Sequence, residues 1–315
     1  MSTNTLTMQE SIALSNQSRQ GDTLLVWLTC LFVAAMFAFA WVGYLDSDDG
    51  LYSTGALKWL QGPFVGESHF EIRHPVVLAI AASYAMFGVG VMQLGLVSTL
   101  FSSGTLVLVF LGLKRFGIRT ACLGVAILAS LPLFAINATI TFCDTIEMFF
   151  VALSFFLFIK SIDSPNPVRW LIFAGIIAAL AYLSRATTVG LIATFGILFL
   201  LGQGPKRAHY WWMAAGFFFV VIVEAAILYA ATGDPFYRLS LAWANVAGED
   251  KTLAGVAAGM PDQAGNIRLN AFLDPILLFF MNHEFALMFL FAVPAAIWTA
   301  FMRSTAKQGT ILLAG

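Results

Sequence analysis

Apolar runs of about 15 to 22 residues recur along the whole chain, and a helix needs about 20 such residues to cross the hydrocarbon core of a bilayer. Lipid offers no partner to backbone N–H and C=O groups, so repeated runs of this length must pair those groups internally, as a bundle of helices. Composition agrees. The 315 residues are 60% hydrophobic and 10% charged, whereas soluble domains carry roughly 25% charged residues. The expected fold is therefore all-α: a polytopic transmembrane helical bundle with outer-face loops and interfacial helices. A soluble fold is excluded, and no nucleic-acid partner is expected.

The first 23 residues are polar, with Arg19 as their only basic group, and are expected to form a cytoplasmic N-terminal tail, 1–23. The apolar run Leu24 to Leu45 is longer than a signal-peptide core of about 7–15 residues, so it reads as an uncleaved first span. Further spans are expected at 93–113, 120–136, 147–162, 171–184, 187–202, 210–231 and 285–302, within a membrane domain 24–315. The apolar segment 75–91 opens on Pro75. The chain stops at Gly315 inside Thr310-Ile311-Leu312-Leu313-Ala314, which reads as the opening of another span. Cys30, Cys122 and Cys143 form no CxxC pair and read as packing residues.

Basic residues set the orientation. Lys114, Arg115 and Arg119 share one short loop, Lys160 and Arg169 flank a second, Lys206 and Arg207 a third, and Arg303 and Lys307 a fourth. All four lie on the cytoplasmic side if a single crossing separates His74 from Lys114. Segment 75–91 is then interfacial or re-entrant. A first outer loop, 46–74, and a long outer loop, 232–284, follow from that arrangement. Asp46, Asp48, Asp49, Glu67 and Glu71 fall in the first outer loop, and Asp144 and Glu147 in the second. The expected location is the inner (plasma) membrane, multi-pass, with a polar site on the outer, periplasmic side.

Four short segments carry the candidate chemistry. Asp46-Ser47-Asp48-Asp49-Gly50-Leu51-Tyr52 sets three carboxylates where lipid meets water; a carboxylate at mid-membrane costs about 2.5–3.5 kcal/mol. Such acids either cap the span in water or form an active site. Arg73-His74-Pro75-Val76-Val77-Leu78 starts a helix, because Pro suits the first helical turn. Asp144 and Glu147, three residues apart, share a helix face, and either favour the helix dipole or face the first loop. Arg185, in Leu183-Ser184-Arg185-Ala186-Thr187-Thr188, is either a snorkelling anchor or a planar fork for phosphate.

The order of these segments resembles one family. An acid pair with a tyrosine follows span one, then His-Pro opens a helix, then comes a Lys-Arg-Phe-Gly turn. An outer Asp precedes a Phe-rich span, and a Leu-Ser-Arg turn comes last. This pattern, over about half the chain (roughly 44–190), is similar to the C-type glycosyltransferase superfamily, in its protein mannosyltransferase and aminoarabinose transferase branch, which includes bacterial lipopolysaccharide core sugar transferases. The resemblance implies a membrane glycosyltransferase that moves a sugar from a polyprenyl-phosphate donor to a hydroxyl on a lipid, glycan or protein acceptor. It assigns the catalytic carboxylate to Asp48 or Asp49, with Tyr52 at the family's following tyrosine. Asp46 is an additional acid. The outer acid of the second loop matches Asp144, and the later Lys that contacts lipid phosphate matches Arg185. Val76 stands where the family often has a second proline.

The chemistry fits this residue set. A base removes the acceptor proton, and a lipid phosphate leaves without a general acid, given a cation for its developing charge. His74, Asp144, Glu147, Asp46 and Tyr52 are then positioning residues. A divalent metal, which some relatives use, would draw its ligands from Asp49, His74 and Asp144. Arg238, Trp243, Asn245, Glu249, Asp250 and Arg268 of the long loop read as a solvated segment or an acceptor contact. The alternative functions are a secondary transporter, which would place its acids near the midplane, and a non-catalytic or truncated membrane paralogue.

Overall fold

The computed structural model describes residues 8–162, 164–202 and 204–244, with side chains from Gln20 onward. The expected span 285–302 and most of the long loop lie outside the described residues. The elements are helices: α1 (Met8–Phe39), α2 (Asp48–Gln61), α3 (His74–Phe87), α4 (Val91–Leu113), α5 (Ile118–Ser130), α6 (Pro132–Asn137), α7 (Cys143–Ile162), α8 (Pro167–Ser184), α9 (Gly190–Leu200) and α10 (Tyr210–Thr232). The backbone is helical again from 237 to 244. Among the described residues five stretches are long and apolar enough to cross a membrane: Gln20–Phe39, Val91–Phe116, Cys143–Ile162, Pro167–Ser184 and Arg207–Thr232. The all-α expectation holds.

Several boundaries differ from the hydropathy reading, each for a local reason. The first span ends at Phe39 rather than Leu45, and the chain beyond it turns through positive φ at Gly43 and Asp46 (+82° and +57°), which keeps 43–46 out of helix. The run 120–136 is two helices. Pro132 cannot supply the N–H that would continue α5 and pushes Leu131 into extended backbone, so α5 ends and α6 restarts. The run 187–202 yields only α9, preceded by one tight turn. Segment 75–91 becomes α3, with Pro75 in its first turn and Gly88 (φ +84°) at its end.

α3 does not carry the chain across the bundle. Its Ser83 hydroxyl donates to the Gln93 carbonyl at the start of α4 (2.7 Å), and its Tyr84 hydroxyl shares a hydrogen bond with Ser53 of α2 (2.8 Å). The start of α4 is itself pinned beside the ends of α1 and α6: Thr141 donates to Leu94 O (2.7 Å), and Gly95 admits Trp41 and the Thr139 carbonyl. Both ends of α3 therefore lie at the same end of the bundle as the 40–47 turn.

Packing follows the solvent. In lipid the hydrophobic effect does not drive helices together, so close approach depends on small residues. α8 crosses α10 at Gly175 and Gly216, where a Cβ on either glycine would run into the Met213 or Ile172 carbonyl of the facing helix. Phe158, Leu171, Phe195 and Leu198 fill the space beside that crossing. A second cluster at the polar end, including Tyr52, Val77, Ile80, Leu94 and Ile146, joins α2 and α3 to α4 and α7. Large apolar side chains such as Trp27, Leu31, Phe218 and Ile222 remain on the outside of the helices, as a lipid-facing surface requires.

Candidate active site

The candidate residues gather at one end of the bundle, where α2, α3 and α7 begin and α8 ends. The basic turns at 114–119 and 206–207 close the opposite end, where α4 ends and α10 starts.

The acid pair of the first loop is divided by its own helix. Asp49 is fully buried, and its carboxylate accepts the backbone N–H groups of Leu45 (2.8 Å), Ser47 (2.7 Å) and Gly50 (3.0 Å). It folds the 45–50 turn back on itself. Asp48, one residue earlier, is half-buried and has no hydrogen bond or ion pair among the described residues. Asp46 is exposed and accepts the Tyr44 hydroxyl (2.7 Å), a bond that raises the tyrosine above its ordinary pKa. Tyr44, Asp46, Ser47, Gly50, Leu51 and Thr54 line an open depression of about 470 Å³. Asp48 lies three and four residues before Leu51 and Tyr52, so it stands on the border between that depression and the buried face of α2.

Tyr52 is completely buried and accepts a hydrogen bond from the Arg73 guanidinium. Burial pushes its hydroxyl well above the ordinary tyrosine value; the neighbouring Cys143 thiol adds to the rise and Arg73 opposes it. Arg73 also donates to Cys143 Sγ (2.9 Å) and to His69 Nε2, and lies over the rings of Phe70 and Tyr52 at 5.4 and 5.7 Å. An arginine only donates, so His69 Nε2 is an acceptor here. Cys143 in turn points its thiol at Asp144 (3.7 Å).

Asp144 and Glu147 share one face of α7, as their spacing requires, and both meet Arg185. Arg185 forms a close ion pair with Asp144 and stands 3.8 Å from Glu147, which also takes the Thr188 hydroxyl. A cavity of about 260 Å³ opens beside Asp144, walled by Leu128, Phe134, Asn137 and Met148 among others. One continuous set of contacts thus runs from Tyr52 through Arg73, Cys143 and Asp144 to Arg185, Glu147 and Thr188.

His74 belongs to a second cluster. Its Nε2 meets the Val65 carbonyl (3.0 Å) and its Nδ1 lies 3.5 Å from Glu224, deep in α10. Glu224 is held by Arg238, whose Nε reaches both carboxylate oxygens (2.9 and 3.0 Å). Arg238 also donates to Ile72 O (2.6 Å) and Leu183 O (3.2 Å). It is a buried tie between α10, the end of α8 and the first loop, which corrects the reading of a solvated loop residue. Trp243 is exposed; Asn245, Glu249, Asp250 and Arg268 lie outside the described residues.

The three metal candidates stand apart. Asp49 is saturated by backbone N–H groups, His74 is engaged with Val65 and Glu224, and Asp144 is paired with Arg185. Among the described residues no three His, Cys, Asp or Glu side chains converge on one point. Reading the sequence alone missed Glu224 and the role of Arg73. A lone acid in an otherwise apolar span was the available signal for Glu224. Nothing local marks the contacts of Arg73 with Tyr52 and Cys143, which come from α2 and α7.

Five apolar spans among the described residues, with a polar cluster at one end, define a polytopic membrane protein. Residues 73–229 match the family described as dolichyl-phosphate-mannose-protein mannosyltransferase. That stretch belongs to a glycosyltransferase family of the C type, as the order of its motifs led us to expect. The match begins at Arg73, so the acids of α2 and the turn before it precede the matched stretch. No curated protein and no solved structure matches the chain.

Proposed function

We propose that the chain transfers a sugar from a polyprenyl-phosphate donor to a hydroxyl acceptor at the outer face of the membrane, with inversion at the anomeric carbon. The observation that carries this reading is the contrast between the two adjacent acids. The Asp48 carboxylate has no partner among the described residues, and Asp48 lies one turn before Leu51, which lines an open depression, while Asp49 is used up in building the 45–50 turn. The family match supports the donor, since its description names a polyprenyl-phosphate sugar. The excess of basic residues at the far end supports an outer-facing site.

In this mechanism Asp48 takes the proton of the acceptor hydroxyl as its oxygen attacks the anomeric carbon. The bond from that carbon to the phosphate oxygen breaks, and the electron pair leaves with the lipid phosphate. The departing group is already a weak base, so a cation rather than an acid assists it. Arg185, 39% exposed and oriented by Asp144 and Glu147, is the cation assigned to the leaving phosphate. Tyr52 and His74 fix the helices that carry these groups. Lipid, glycan and protein acceptors all supply the required hydroxyl.

The test is an assay of the purified protein in nanodiscs with a panel of polyprenyl-phosphate sugars and hydroxyl acceptors. The expected result is release of polyprenyl phosphate matched by glycosylated acceptor of inverted anomeric configuration. Solute uptake into proteoliposomes with no sugar transfer from any donor would replace this reading with a transporter.

A further inference from the structure

We propose that the groove between α8, α9 and α10 holds an acyl chain of an anionic glycerophospholipid, whose phosphate sits on the basic turn at 206–207. This groove lies toward the end of the bundle opposite the candidate active site, and the proposal goes beyond the transfer reaction. Among the described residues it has a volume of about 420 Å³. Phe195 and Met213, both buried, form its floor, and Ile192, Trp211 and Phe218, all exposed, form its rim. Gly196 lines it with nothing within 4 Å of the place a Cβ would take, so a side chain there has the groove to occupy. Tyr210 and Phe218 are eight residues apart on α10, about 12 Å along its axis. A hydrocarbon core is about 30 Å thick, so the groove has the depth of one leaflet's acyl chains.

One end of the groove touches the basic turn. Arg207 lies over the ring of Phe199 (5.8 Å), a wall of the groove, and its Nε and Nη2 donate to Phe199 O (3.1 Å) and Leu200 O (2.9 Å). The same ring packs against Tyr210 (5.5 Å), on the opposite wall. These contacts fix the guanidinium at the groove's mouth and use two of its five N–H donors. Neither Lys206 nor Arg207 has a carboxylate within ion-pair distance among the described residues, and the sequence from Gly202 to Tyr210 contains no acid. Basic pockets between membrane helices on the cytoplasmic side suit anionic lipid headgroups, and an apolar cleft with a few polar groups at its edge is the usual form of a small-ligand site. A zwitterionic lipid would fill the groove but bring no net charge to the two cations. A docked helix would need small residues on the face it approaches, whereas this rim carries Trp211, Phe218 and Ile192. The prenyl tail of a donor seated at the candidate active site would hold its phosphate at the other end of the bundle.

The experiment is native mass spectrometry of the full chain in dodecylmaltoside, offered phosphatidylglycerol and phosphatidylcholine of the same acyl chains at equal concentration. The wild-type chain is expected to retain one phosphatidylglycerol with a preference of at least about fivefold, the effect of one basic residue near a lipid surface. Lys206 is the cation to change, because Arg207 also holds the end of α9. Lys206→Gln is expected to cut the preference by about two- to fivefold. Gly196→Phe, which fills the groove and leaves the turn intact, is expected to lose the retained lipid. Equal retention of the two lipids by the wild-type chain, or retention of neither, overturns the proposal. An unchanged preference in Lys206→Gln refutes the turn as the phosphate contact. Wild-type retention of phosphatidylglycerol by folded Gly196→Phe refutes the groove as the acyl site. If undecaprenyl phosphate at equal concentration displaces the phosphatidylglycerol, the groove belongs to a prenyl tail and the proposal fails, while the donor reading stands. Should Gly196→Phe not fold, Gly196→Leu carries the test with the same expected and refuting results.

Discussion

Removing either partner of the Glu224–Arg238 pair should destabilise the bundle far more than removing both. Glu224 is 8% exposed inside an apolar span. Its carboxylate receives Arg238 Nε at 2.9 and 3.0 Å and Nη2 at 2.5 Å. Glu224→Ala leaves Arg238 with the Ile72 and Leu183 carbonyls but no counter-ion. Arg238→Ala leaves a carboxylate in the span with only His74 nearby, at 3.5 Å. Breaking one side of a buried pair costs about 3–5 kcal/mol, because the surviving charge is stranded. The double substitution strands no charge and should cost less than either single, so the cycle should show a coupling of at least about 3 kcal/mol. Unfolding of the purified variants in mixed dodecylmaltoside–SDS micelles, followed by circular dichroism, measures it. A coupling below about 0.5 kcal/mol, the range of exposed surface pairs, would refute the buried tie. Arg238 also bonds the carbonyl of Ile72, next to Arg73, so its loss should loosen the first loop and lower turnover as well as stability.

Two further outcomes follow from packing and charge. Gly216→Ala and Gly175→Ala should each destabilise by about 1–3 kcal/mol or more, since either methyl meets backbone of the facing helix. Gly112→Ala, on α4 with open space around it, should be neutral or stabilising in the same unfolding assay; similar losses at all three positions would contradict the α8–α10 crossing. A cysteine at position 47 should react with an impermeant maleimide added to intact cells, and one at 117 only after permeabilisation, above the labelling of the native cysteines. Labelling of 117 from outside would reverse the orientation.

The bundle was legible because span length and lipid chemistry leave few choices; the shared helix face of Asp144 and Glu147 was legible in their spacing, but that it meets Arg185 was not. The break at Leu131–Pro132 was also readable, since proline cannot continue α5, but the apolar run across it hid the stop. Which of Asp48 and Asp49 is buried was not readable. It depends on the backbone turn at Asp46, φ +57°, which points one carboxylate into three N–H groups and leaves its neighbour outside. Arg238 looked like a loop residue because its partner lies 14 positions back inside a span. The setting of Arg73 is likewise a property of three dimensions, since Tyr52 and Cys143 reach it from α2 and α7.

The central claim, that the unengaged acid of the first loop is the base, is tested most directly by turnover per folded molecule for Asp48→Asn beside Asp49→Asn and Asp46→Asn. Losing a general base costs about 10²–10⁴ in rate, so Asp48→Asn should lose that much with its thermal stability unchanged. Asp49→Asn should lose stability first, because an amide cannot accept the three backbone N–H groups of the 45–50 turn as a carboxylate does. Asp46→Asn should have the smallest effect. Turnover of folded Asp48→Asn within tenfold of wild type would contradict the account.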